Sequence, residues 1–291
     1  MIQKKQINTA QFRLSFLYKS MLFFSVVVLL LPQISRAQGD LLITPRRVVF
    51  EGGKQREEIT LANTGQDTAY YSISFLQYRM TEDGNFKEVT EPEEGQMFAD
   101  PYIRFFPRSV ELAPGESQVV RMQLRRMPNM VDGEYRSHLY FRAVPEEKPL
   151  GEEDILTDST AIGIRLTPIF GISIPVIARI GNLSSDVVLS DLNVQQNSQG
   201  ANVLNVVLNR EGTQSVYGDL KAEYITPEGE KYYVGLVKGI AVYTPNLLRR
   251  FTMTLNTPEG IELNKGKLLV RYSSSNEAKP QVYDEKELGL K

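Results

Sequence analysis

From Leu41 onward, short runs rich in β-branched and aromatic residues recur between clusters of Gly, Pro, Asn and Asp, and very little of the chain carries the 3.6-residue period of a helix. Alternation of apolar and polar positions predicts strands at 41–50, 58–63, 69–79, 102–106, 109–112, 118–126 and 134–144, and a long one within 161–180. Glu51-Gly52-Gly53, Asn63-Thr64-Gly65, Glu82-Asp83-Gly84-Asn85, Ala113-Pro114-Gly115 and Val131-Asp132-Gly133 separate them, supplying the positive φ or the fixed proline φ that tight turns need. This spacing fits one immunoglobulin-like sandwich over residues 38–180. A second series at 187–194, 201–209, 218–226, 231–242, 249–256 and 267–273 predicts a smaller β-sandwich over 181–275. The fold class is all-β, and residues 276–291 read as a polar, frayed tail.

The predicted strand at 161–180 does not fit a simple sandwich. Ile162, Ile164, Leu166, Pro168, Phe170, Ile172, Ile174, Val176, Ala178 and Ile180 share one face, while Gly163, Arg165, Thr167, Gly171, Ser173 and Arg179 fall on the other. Unbroken, it would extend roughly 60 Å, so part of it must bend, project or bridge two domains. Pro168 and Pro175 cannot donate ladder hydrogen bonds and belong at an edge, bulge or corner. An apolar edge strand invites pairing with another chain; inserted into a partner's groove, it would act by β-augmentation. The plainer alternative is a last strand of one domain running into the first strand of the next. Before it, residues 146–160 hold Glu146, Glu147, Glu152, Glu153, Asp154 and Asp158 without the alternating ligands and central Gly of a calcium loop, which reads as a solvated loop.

Composition narrows the function. The 291 residues are 42% apolar and 23% charged, with no Cys and one His, His138, so thiol, zinc-cysteine and paired-histidine chemistry is excluded. No phosphate-binding or nucleophile-elbow motif is present, and a lone strand histidine is an ordinary packed or exposed residue, so the chain reads as no enzyme, with no cofactor and no metal. Residues 1–37 carry Lys4, Lys5, Arg13, Lys19 and Arg36 and no acid, then an apolar run from Leu22 to Leu31 and Ser35-Arg36-Ala37. This is the pattern of a cleaved signal peptide; about ten apolar residues reach only about 15 Å as a helix, too short for stable membrane insertion. Removing those five cations leaves 28 basic against 35 acidic residues, a net of −7, which does not suit a nucleic-acid binder.

Four stretches resemble the periplasmic pilus (fimbrial) assembly chaperones. Arg47-Val48-Val49-Phe50-Glu51-Gly52 with Glu58-Ile59-Thr60-Leu61-Ala62-Asn63 is similar to that family's first two strands, and Pro101-Tyr102-Ile103-Arg104-Phe105-Phe106-Pro107 to its mid-domain segment. Gly133–Phe141, closing at Val144-Pro145, resembles its sixth strand, and Ile162–Ile174 its donor strand. The resemblance implies two immunoglobulin-like domains in an L shape, and donor-strand complementation of pilus or surface-fibre subunits through Ile162, Ile164, Leu166, Pro168, Phe170, Ile172 and Ile174. It also implies an outer-membrane usher as a possible second partner, and a self-capping homodimer as a further use of the same edge. A basic pair in the interdomain cleft would anchor the subunit's C-terminal carboxylate. Its Arg carries over to Arg47, but Ser173 stands where the family has Lys, leaving Arg47 with Ser173, or Arg165 or Arg179 in place of the Lys. The leading expectation is a periplasmic, non-enzymatic chaperone; the alternative is an exported structural or adhesive protein with tandem immunoglobulin-like domains.

Overall fold

The computed structural model describes residues 41–128, 130–145, 169–258, 260–275 and 280–290. The predicted signal peptide (1–37), the acidic segment 146–160, and Ile162, Ile164, Arg165, Leu166 and Pro168 lie outside the described residues. In chain order the strands are β1 (Leu41–Thr44), β2 (Val48–Phe50), β3 (Arg56–Asn63), β4 (Ala69–Leu76), β5 (Tyr78–Met80), β6 (Phe86–Glu88), β7 (Ile103–Phe106), β8 (Ser109–Leu112), β9 (Ser117–Leu124), β10 (Gly133–Ala143) and β11 (Gly171–Ile180). They continue as β12 (Ser185–Gln196), β13 (Asn202–Gly212), β14 (Val216–Ile225), β15 (Lys231–Val242), β16 (Leu248–Thr254), β17 (Gly266–Ser274) and β18 (Val282–Leu290). One 3₁₀ turn, Asp100–Tyr102, precedes β7, and no helix among the described residues is long and apolar enough to cross a membrane.

The fold is two tandem β-sandwiches. In the first, a sheet ordered β1-β3-β9-β7 packs on one ordered β2-β11-β10-β4-β8, and Phe50, Ile59, Leu61, Leu112, Leu124, Leu139 and Phe141 are buried between them. In the second, β12-β13-β16 faces β15-β14-β17-β18 around Leu204, Leu208, Leu220, Val270 and Tyr272. Met80, Ile177, Ala241 and Tyr243 form a small third cluster that joins the outer face of the β11 sheet to the second sandwich, so the sheet is covered on both faces at Ile177.

Three predicted elements differ. The single strand expected at 41–50 is two strands in different sheets: the chain leaves β3 after Thr44 and joins β11 at Val48, with Pro45, which cannot donate to a ladder, at the crossing. The strand expected at 69–79 divides at Gln77, and β5 turns back on β6 as a hairpin. Residues 276–291 do not fray throughout: β18 pairs antiparallel with β17 from Leu290 opposite Gly266 to Val282 opposite Ser273. Tyr283 stacks on buried Tyr272 with ring centroids 5.3 Å apart, and the Asp284 carboxylate accepts the Leu189 N–H at 2.7 Å, tying this edge to the opposite sheet. The polar character of this segment belongs to its outer face, where Glu285 and Glu287 meet Arg271 and Lys267 of β17.

Candidate functional site

β11 is paired along its length with β10, from Gly133 opposite Ile180 to Arg142 opposite Gly171. On its other side β2 runs parallel to it only over Val176–Ala178. Residues 169–175 therefore have no strand on that side among the described residues. The Ala143 N–H donates to the Phe170 carbonyl at 2.9 Å, so even-numbered residues of this strand turn their main-chain groups toward β10. The odd ones, Gly171, Ser173 and Pro175, turn theirs to the open edge. Pro175, with no N–H to offer, sits where the free stretch gives way to β2.

The side chains follow the same parity. Val176 and Ala178 are fully buried in the first core and Ile174 is 3% exposed, whereas Ile172 and Phe170 on the same face are 37% and 48% exposed. The apolar row thus continues beyond the end of its own core. Of the expected donor positions that are described, Phe170 and Ile172 project and Ile174 is housed at home.

The opposite face of β11 looks onto an interdomain cleft of about 380 Å³ whose walls include Arg47, Glu51 and Arg179 from the first sandwich and Gln214, Tyr217 and Tyr283 from the second. Arg47 precedes β2, one step beyond the Val48–Val176 pair, and so is level with Pro175. Its guanidinium lies 4.6 Å over the Tyr217 ring, and its buried Nε has no hydrogen-bond partner among the described residues. Ser173 shares that face two residues along β11, and its hydroxyl is engaged with the Tyr78 phenol.

Arg179, one of the candidates for the missing lysine, is committed elsewhere. It holds Glu51 at 2.7 Å and Glu134 at 3.1 Å and donates to the Ser215 carbonyl at 3.1 Å. A further cation with unsatisfied donors, besides Arg47 and Arg249, is Arg136 of β10, which the sequence reading missed. It is 3% exposed, stacks 4.4 Å over Tyr243 and donates through Nη2 to the Tyr78 and Thr244 carbonyls at 3.3 and 3.4 Å, while Nε and Nη1 have no partner. Burial, with the nearby charges of Arg79 and Arg47 adding to it, pushes its pKa down to about 10. His138, two residues on, is held neutral: burial and then the Arg136 charge lower its pKa to about 3, and its ring packs against Tyr78 and Phe86 at 5.0 and 5.4 Å. In sequence, Glu134, Arg136, His138 and Tyr140 look like the solvent face of an alternating strand. Only the second sandwich and the β5–β6 hairpin, both remote in sequence, bury the first three. The arrangement joins an apolar, half-paired edge to guanidinium donors with no acceptor of their own, which suits an extended chain bearing an anionic group.

No protein-family model and no curated protein sequence matches the chain. Among solved structures, a chain of the CsuC–CsuE chaperone–tip adhesion subunit pre-assembly complex from the archaic chaperone–usher Csu pili of Acinetobacter baumannii is 16% identical. The match covers 86% of this chain and 98% of that one, with a TM-score of 0.44. The YadV chaperone is 14% identical over 87% of this chain and all (100%) of its own, with a TM-score of 0.43. A chain of the Salmonella enterica SafA pilin–SafB chaperone complex is 12% identical, covering 87% and 98%, with a TM-score of 0.39. Chaperones of pili and fimbriae are thus among the solved structures to which this chain is similar.

Proposed function

We propose that this protein is an exported, periplasmic chaperone that holds strand-deficient pilus or surface-fibre subunits by adding the free edge of β11 to them. The observation that carries the reading is the apolar row Phe170–Ile172, exposed beyond its own core on an edge that β2 closes at Val48. A strand added beside residues 169–175 lies end to end with β2 and stops against Arg47. If it runs parallel to β11, its C-terminus arrives there and its carboxylate meets a guanidinium whose Nε has no hydrogen-bond partner among the described residues; run the other way, it would bring a main-chain ammonium to the same cation. Charge therefore selects the parallel arrangement with a free terminal carboxylate. Arg47 is the principal anchor, Arg136 adds positive potential from beneath, and Ser173 marks the rim. Each apolar side chain fully buried in the partner contributes roughly 1.5–3 kcal/mol before ordering costs, and Ile162, Ile164 and Leu166 would extend the row.

The test is co-expression with a pilus subunit that lacks its last strand. A one-to-one complex is expected, and Phe170→Asp with Ile172→Asp should abolish it while leaving the circular dichroism spectrum unchanged. Normal recovery of the complex by this double variant would sink the proposal. For the anchor, a fluorescent ten-residue peptide alternating Val with Ser and ending in a free carboxylate should bind more tightly than its C-terminal amide. Arg47→Ala should erase that difference.

A further inference from the structure

Among the described residues the free stretch of β11 is held on one side only, yet it has to stay extended to serve as a template. Gly171 stands in its middle, where glycine adds backbone freedom and no side-chain packing. Its φ lies outside the left-handed region, so the backbone alone does not demand glycine; a Cβ there would overlap the ring and hydroxyl of Tyr140. Tyr140 belongs to β10, directly opposite Ser173 of β11 and Ser74 of β4. Between two small neighbours, its ring leans diagonally over Gly171 on the outer face of the edge. Tyr78, hydrogen-bonded to Ser173, lies beside Tyr140 on the same face.

We propose that Tyr140 is a positioning residue for strand addition: packed across Gly171, it keeps residues 169–175 extended, so that a partner strand meets a ready-made edge. This rests on the strand-addition reading above. An aromatic ring laid over a strand glycine from the neighbouring strand replaces the packing the glycine lacks. Ordering the edge before the encounter removes part of the entropy a partner would otherwise have to offset.

The experiment compares wild type with Tyr140→Ala, Tyr140→Phe and Gly171→Ala in the full chain. By parity, the Ile172 and Ile174 amides bond to β10 and report whether β11 stays docked. Tyr140→Ala should speed their exchange with deuterium about fivefold, as expected for losing one cross-strand aromatic contact, without changing the Leu61 and Val120 amides of the opposite sheet. It should weaken binding of the Val/Ser peptide by a similar factor. Tyr140→Phe should restore both, and Gly171→Ala, which displaces the ring, should reproduce the Ala defect. Unchanged exchange at Ile172 in Tyr140→Ala overturns the brace. Faster exchange with unchanged peptide affinity overturns the positioning role. The strand-addition reading has its own control: it fails if Ile172→Asp leaves peptide binding intact, an outcome independent of Ile172 exchange in Tyr140→Ala.

Discussion

Replacing Glu134 should uncouple the two sandwiches. Its side chain is 0% exposed. One carboxylate oxygen accepts from Arg179 Nε at 3.1 Å and the Ser215 N–H at 3.0 Å, and the other accepts from the Ser215 hydroxyl and, at 3.3 Å, the Thr244 hydroxyl. Glu134 and Arg179 belong to β10 and β11, and Ser215 and Thr244 flank β14 and β15, so one carboxylate spans the interface. In Glu134→Gln the amide oxygen can face the two N–H donors and the NH₂ the two rotatable hydroxyls. What goes is the charge: the ion pair with Arg179 is lost and the three other charge-assisted bonds become neutral ones, a loss of about 2–3 kcal/mol. Glu134→Ala leaves Arg179 with the more exposed Glu51 as its remaining carboxylate and strands the Ser215 N–H, which should cost about 3–5 kcal/mol. Urea unfolding followed by tyrosine fluorescence and by amide exchange should give one transition in wild type and two in Glu134→Ala, with the second sandwich holding out separately. A double-mutant cycle with Arg179→Ala should return a coupling above about 1 kcal/mol. A single transition in Glu134→Ala with coupling near zero would show that the apolar cluster around Ile177 and Tyr243, not this network, joins the two halves.

Three further outcomes are expected. His138 is neutral in the folded protein down to about pH 3 but takes up a proton near pH 6.5 when unfolded, so the unfolded state binds more protons between these values. Stability is therefore full above pH 6.5 and falls as pH drops, by at most about 1.4 kcal/mol per unit from this group; His138→Phe should flatten the denaturant midpoint between pH 6.5 and 4.5. Deleting residues 276–291 should lower the melting temperature and expose the β17 edge to dimerisation, because Tyr283, Leu288 and Leu290 pack against the second core and their loss removes roughly 3 kcal/mol or more of apolar burial; an unchanged melting temperature would restore the frayed-tail reading. Asn63→Ala should destabilise by about 1–3 kcal/mol, since its buried amide donates to the Leu112 and Asp67 carbonyls at 2.9 and 2.8 Å and its oxygen accepts the Gly65 N–H at 2.9 Å; thermal melts would check this.

The all-β class, the two sandwiches and most strand positions were legible because alternation is local: a residue's face depends on its neighbours two positions away. What required partners remote in sequence was not. Pro45 was visible as an interruption, but nothing near it says that the chain leaves one sheet for the other. The charges of Glu285 and Glu287 look like a solvated tail until Lys267 and Arg271 of β17 are placed beside them. The site divides the same way. Phe170 and Ile172 could be read from alternation, and Arg47 from its motif. Arg136 became a candidate only when Tyr243 and the β5–β6 hairpin were seen to cover it, and Arg179 dropped out only when Glu51 and Glu134 were seen to occupy it.

The other sheet edges explain why β11 is the one to suspect. β1, β7 and β8 have four residues each, and Pro45 and Pro107 end the first two. β12 is broken by a register shift between Ser190 and Asn193, with Asp191 at a φ of 53°, and β15 pairs with β14 through two such shifts. β16 opens its edge with Arg249 and Arg250, and β18 presents Asp284, Glu285, Lys286 and Glu287. Short length, bulges, proline and charge are the ordinary protections against unwanted strand pairing. The free part of β11 has one of them, Pro175, and that residue lies at the end nearest Arg47, where an added strand would already have stopped. Upstream the edge is Ile169, Phe170, Gly171, Ile172 and Ser173, uncharged and backed by Tyr140. Among the described residues the other edges are protected and this one is apolar, which is the pattern the proposed strand addition requires.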